Sequence, residues 1–134
     1  SLGMPAAGSP VRWVLRWQLI VVYGFTAIHK IFQNFHDGDA LRGVAAYLLA
    51  ADVSGPRRLV LEGLSVPLIS QVASASALAL ELAIPALLMT RPKIGVVCVI
   101  ALHVSFSLAM PDLFAFGFAM TSLAFLFVDR VETR

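Results

Sequence analysis

The chain has 134 residues, of which 59% are hydrophobic and only 13% charged, and its mean hydropathy is +0.86. A soluble domain of that length has too little interior to hide so much apolar surface, so the composition predicts an integral membrane protein. A formal net charge of +2 without any basic run excludes nucleic acid as a partner. Cys98 is the only cysteine, so no disulfide forms within the chain, and it reads as a small packed hydrophobe.

Residues 1–10 are small and rich in Pro and Gly, which predicts a mobile N-terminal segment. The first apolar stretch, from about Val11 to Ile31, is long enough to span a bilayer and ends in His29-Lys30, so it reads as a span rather than a leader. A loop follows, with a helix starting near Asp39 whose apolar face is Leu41, Val44, Leu48 and Leu49. Ser54-Gly55-Pro56 breaks that helix, and Arg57 to Val66 resumes as a second amphipathic piece. Both pieces are expected to lie flat at the membrane surface and cap the bundle.

Three further spans are expected at Pro67–Thr90, Ile94–Met110 and Leu113–Val128, with a tail at 129–134. Arg91-Pro92-Lys93 and Met110-Pro111-Asp112 are their short turns, which makes neighbours antiparallel. Pro111 stops one helix and Asp112 is suited to cap the next. The expected fold is thus all-α: a four-transmembrane-helix bundle, residues 11–128, with short interfacial helices in the first outer loop. Arg12, Arg16, Arg91, Lys93, Arg130 and Arg134 fall on one side, which places both termini in the cytoplasm. Lys30 then lies toward the outer face, and a bacterial inner membrane is the expected location.

Ionisable residues inside spans are rare and mark function or helix-to-helix adhesion. Glu81 lies nine residues before the cytoplasmic end of the second span, and His103 nine residues after the start of the third. At a rise of 1.5 Å per residue both sit about 13–14 Å above the inner boundary, at one level. Pro85 leaves the carbonyl of Glu81 without its usual donor. Tyr23, Thr26 and Lys30 share one face of the first span. Glu81 and His103 fit a proton-handling pair, a ligand site opening into the bundle, or buried adhesive groups, and Lys30, near the boundary, fits a lysine that snorkels to the headgroups. His36, Asp37 and Asp39 have no metal-ligand spacing, so no metal site is expected.

The stretch Tyr23 to Leu41, with Lys30, Phe35, Gly38 and Leu41, resembles the lysine helix of the vitamin K-dependent gamma-carboxylase and of the bacterial horizontally transferred transmembrane (HTTM) domains. Ala101 to Met110, with His103, followed by Phe114 and Phe118-Ala119-Met120, resembles the histidine helix of that family, and Glu81 falls where it has an acidic residue. More remotely, the chain resembles the small DoxX-like membrane proteins. The resemblance implies that Lys30 acts as a base toward a reduced quinone, with Glu81 and His103 completing the catalytic set. Tyr23 and Thr26 stand beside them as cofactor-binding candidates, and the cofactor expected on this view is a quinone or another hydrophobic molecule.

Against that reading stands the scarcity of soluble mass and the surplus of apolar faces. These favour a non-catalytic accessory subunit packed in the bilayer against a larger redox complex, respiratory or photosynthetic. The small residues from Ala73 to Ala77 and Ala79 permit the close helix contact this needs. The accessory subunit is the leading expectation, and the lysine-dependent enzyme its alternative.

Overall fold

The computed structural model describes residues 9–130, which form helices and turns with no strand among them. The expected mobility of residues 1–10 therefore falls almost wholly outside the described residues, as does most of the tail at 129–134. The helices are α1 (Pro10–Phe32), α2 (Asp39–Leu49), α3 (Pro56–Leu64), α4 (Pro67–Thr90), α5 (Pro92–Ala109) and α6 (Phe114–Ala124). Four of the six open on a proline in the first turn, where its missing N–H costs nothing and its fixed φ favours the helix. The α1 start is further secured by Ser9, whose hydroxyl accepts the Arg12 backbone N–H at 3.2 Å.

α4 is the hub: it packs against α1 on one side and α5 on the other, while α6 lies on α5 and returns to α1. Leu19, Ile84, Leu88 and Val99 are fully buried where these four meet. α2 and α3 pack on each other and across the end where α4 begins and α5 finishes, around a smaller core of Ala45, Leu61 and Ala109. Arg57 on α3 donates to the Ala109 carbonyl at 3.2 Å, so a cation satisfies the C-terminal end of α5. Arg42 on α2 donates to the Ser70 hydroxyl at 3.1 Å and also pairs with Asp39.

α4 and α5 are long and apolar enough to cross a membrane, and Phe114–Val128 is a shorter apolar helix. α1 has 23 residues, comparable to α4 in length, but Arg12, Arg16 and Lys30 make it less apolar. The last segment departs from expectation in two ways. α6 opens with Leu113 at its cap and no side-chain cap, after a single 3-10 turn at Pro111–Leu113, rather than starting from Asp112. Beyond Ala124 it tightens into a 3-10 helix over Phe125–Arg130. The longer rise of that winding lets seventeen residues from Phe114 reach about 28 Å, close to the thickness of a bilayer's hydrocarbon.

The arginines counted as surface charge on α1 do something more specific. Arg12 is buried and donates through Nε and Nη2 to the Leu126 carbonyl at 3.2 and 2.8 Å. Arg16 donates to the same oxygen, through Nε at 3.0 Å and through Nη2, with its guanidinium 5.3 Å from the Phe127 ring centre. One carbonyl at the end of the chain's last helix is thereby clasped by two cations from the start of its first.

The turn from α1 into α2 depends on Gly38. Its φ is +85°, and a Cβ there would lie 2.6 Å from the Gln71 backbone nitrogen on α4. Gly38→Ala is expected to combine left-handed strain with a backbone clash and cost at least about 2 kcal/mol. Gly43→Ala, on the open side of α2 with nothing within 4 Å, is expected to be neutral or mildly stabilising. Thermal unfolding of both variants in one detergent checks the contrast; equal midpoints would exclude the close approach.

Candidate functional site

Lys30 ends the last full turn but one of α1, and its stem turns inward rather than toward the surface. Its Nζ donates to Glu81 Oε1 on α4 at 2.6 Å, with the lysine side chain 20% exposed and the glutamate 5%. Two aromatic faces flank the ammonium: the Phe35 ring centre lies 4.9 Å away and that of Phe106 5.5 Å. A cation held by a carboxylate and two ring quadrupoles has little reason to seek headgroups. The snorkelling expectation for Lys30 is therefore corrected: its ammonium is turned inward onto the Glu81 carboxylate.

Phe35 reaches this position because the chain reverses tightly after α1. Asn34 takes a left-handed conformation at φ 53°, a single 3-10 turn covers Phe35–Asp37, and Gly38 completes the reversal against α4. The aromatic five residues beyond Lys30 thus folds back beneath it.

His103 on α5 does not pair with Glu81. Its Nε2 shares a hydrogen bond with the Tyr23 hydroxyl on α1, 2.7 Å away. The Phe116 ring meets the imidazole edge-on at 5.6 Å between centres. α6 passes close behind it at Gly117, where an added Cβ would lie 2.9 Å from the His103 Cβ. The shared height of Glu81 and His103 on antiparallel helices yields neighbouring positions in one wall, while each finds its partner on α1. Two polar crosslinks, α1 to α4 and α1 to α5, replace the single α4 to α5 pair expected.

The two crosslinks face one cavity of about 290 Å³. Tyr23, Thr26, Lys30, Glu81 and His103 all line it, so the five candidate residues converge on a single space. Thr26 contributes less than its position suggests, because its hydroxyl donates back to the Val22 carbonyl at 2.6 Å. The remaining walls are apolar, with Phe106, Met110, Phe116 and Met120 prominent among them. None of these four stood out by charge; Phe106, Met110 and Met120 lie in the stretches that carry the resemblance, and Phe106 follows His103 by one helical turn. Val22, Leu113 and Phe116 line the cavity and are 39%, 38% and 52% exposed, so it reaches the surface along the seam between α1 and α6.

One atom in this wall lacks a partner. Glu81 Oε2 is buried and receives no hydrogen bond, while Oε1 holds Lys30. A buried carboxylate oxygen left unsatisfied is costly unless something that enters the cavity donates to it. The groups noted elsewhere stay apart: His29 is exposed and stacks on Phe25 at 6.3 Å. Asp37 accepts the Asp39 backbone N–H at 2.9 Å. Among the described residues no group of three metal-binding side chains gathers. Cys98 is half-buried against the main core.

The pairing generates a stability test. Lys30→Met leaves the Glu81 carboxyl buried without its cation and is expected to destabilise by the lower part of about 3–5 kcal/mol, since Lys30 is partly exposed. Adding Glu81→Leu to it is expected to recover most of that loss, whereas Glu81→Leu alone strands the lysine. Chemical unfolding of the four proteins closes the cycle, and strictly additive effects would exclude a coupled pair. Comparison of the chain with protein-family models, with curated proteins and with solved structures found no match.

Proposed function

We propose that this chain is a four-span membrane protein that binds an apolar ligand bearing an acidic hydroxyl, such as a reduced quinone, and removes its proton. The outward surface supports the membrane part. Only 33% of the most apolar stretch of α4 and of α5 is buried, whereas a core helix of a soluble protein is mostly enclosed. Phe25, Phe32, Leu68, Val97, Phe114 and Phe118 all face outward. Such a surface suits lipid, and the basic residues clustered near Arg12 and Arg91 favour termini on the cytoplasmic side.

Glu81 lines the cavity, and its buried, unpartnered Oε2 carries the functional part. A ligand hydroxyl that donates to it stands beside the Lys30 ammonium. The Lys30–Glu81 pair then accepts the proton as a unit and leaves a cation facing the new oxyanion. Tyr23 and His103 offer a second polar contact across the same cavity. Apolar walls and an opening along α1 and α6 select a molecule that arrives from the bilayer. The sequence resemblance to the gamma-carboxylases points to the same proton removal, with the difference that there the lysine is the base, whereas here the proton goes to Glu81 and Lys30 stays a cation.

A second reading, the accessory subunit of a larger membrane complex, draws on α4. Ser74 and Ala77 are buried within the bundle, while Ala75, Ser76 and Ala79 lie on its exposed side and would admit a close neighbour. The polar cavity has no role in that reading, which is why it takes second place.

A nitrophenol with a butyl chain reports the first reading directly, because its ionised form absorbs visible light. Protein in lipid nanodiscs is expected to bind it and to raise the ionised fraction at a pH where free probe is mostly neutral. Lys30→Met and Glu81→Gln are each expected to lose the absorbance and weaken binding about tenfold or more, with helical content unchanged. Equal absorbance in all three proteins would sink the proposal.

A further inference from the structure

A second cavity, of about 330 Å³, lies where α4 and α5 part beneath α2 and α3. It shares Leu41, Val44, Phe106 and Met110 with the Lys30 cavity, so these four residues stand between the two spaces. Small side chains create it: Ala73, Ser76 and Ala77 on α4 face Ser105 and Ala109 on α5. The Ser105 hydroxyl is turned back to the Ala101 carbonyl at 2.7 Å, and the lining carries no ionisable group.

The two cavities differ in chemistry and adjoin. The first holds every buried ionisable group of the α1–α4–α5 junction, and the second holds none. Phe106 has one role in each, as a face for the Lys30 ammonium and as a wall of the apolar space. Met110, half-buried and unbranched, is the more adaptable part of the partition. Both linings are largely apolar, but only the first carries ionisable groups, and that juxtaposition matches a molecule with a compact polar head and a long apolar chain.

We propose that the second cavity is the tail site of the ligand whose hydroxyl meets the Lys30–Glu81 pair, and that this ligand is therefore a single-chain amphiphile rather than a compact ring. This rests on the function proposed above. The chain passes between Phe106 and Met110 and lies between α4 and α5 under Leu61 and Leu64. Because lipid around the protein is as apolar as the cavity, burial as such contributes little. Selectivity comes from packing, so filling the cavity harms long chains and spares short ones.

The test uses a phenol carrying a dodecyl chain that ends in a photoreactive diazirine, with butylphenol as the short competitor, on the whole chain in nanodiscs. Labelling is expected on the α3 segment at Leu61–Leu64 and on α4 near Ala73–Ser76, and excess butylphenol should displace it. Ser76→Leu and Ser105→Leu, both at exposed rim positions that tolerate bulk, are expected to weaken dodecylphenol about tenfold and butylphenol less than twofold. Label confined to the outer faces of α1 and α6 would show the tail leaving through the seam and overturn the tail site, with the function intact. Label in the second cavity that butylphenol cannot displace would identify an ordinary lipid chain there and overturn it equally. Failure of butylphenol to bind at all would instead remove the function on which the inference stands.

Discussion

A lysine and a buried glutamate, joined between two helices, govern the arrangement of this chain. A buried carboxylate is costly alone, and its union with Lys30 at 2.6 Å fixes the distance between α1 and α4. From that contact the rest follows in order. α4 must lie beside α1, although 34 residues separate them. The intervening chain must then turn back at Asn34 and Gly38, cross the bundle end as α2 and α3, and re-enter at Pro67. The Phe35 and Phe106 rings complete the shell around the ammonium, so the turn and α5 are drawn to the same point.

The energetics of such a pair argue against a purely architectural role. Replacing a buried ion pair by apolar side chains of similar volume is often neutral or stabilising. The neighbouring core, with Leu19, Ile84, Leu88 and Val99, shows that apolar packing is readily available to these helices. A carboxylate with one oxygen committed and the other idle is a poor way to hold two helices together. It is a good way to keep one acceptor ready at the wall of a cavity. The Tyr23–His103 contact differs, since neither residue leaves a buried side-chain atom unpartnered and each helix gains a defined rotation.

Much of the helix layout was legible because proline and glycine punctuate it. α4 has the bounds Pro67 and Thr90 expected for the second span, and the Gly55-Pro56 break recurs in the structure, whereas Pro92, expected in a turn before a span from Ile94, itself opens α5. Lys30, Glu81 and His103 were visible through the cost of burying charge, which needs no motif. Their partners were not visible, because rise along a helix gives height without rotation. Two residues at one level on adjacent helices can each turn toward a third. The clasp on the Leu126 carbonyl was hidden for another reason: the 3-10 winding of Phe125–Arg130 leaves no periodic signature in so apolar a run. The long apolar side chains of the cavity, such as Met110 and Met120, are indistinguishable in sequence from ordinary core.

The seam between α1 and α6 is fastened very unevenly. At one end Arg12 and Arg16 bind a single backbone oxygen, while toward the other the two helices are separated by the cavity. Mechanically this is a clothes-peg: the spring sits at the arginine end and the jaws at Val22 and Phe116. A parting of the jaws would turn about the arginine end, so a small angle there would become a larger gap where the polar site lies. The arginines, remote from Lys30, thereby hold the closed end of the seam on which its cavity opens.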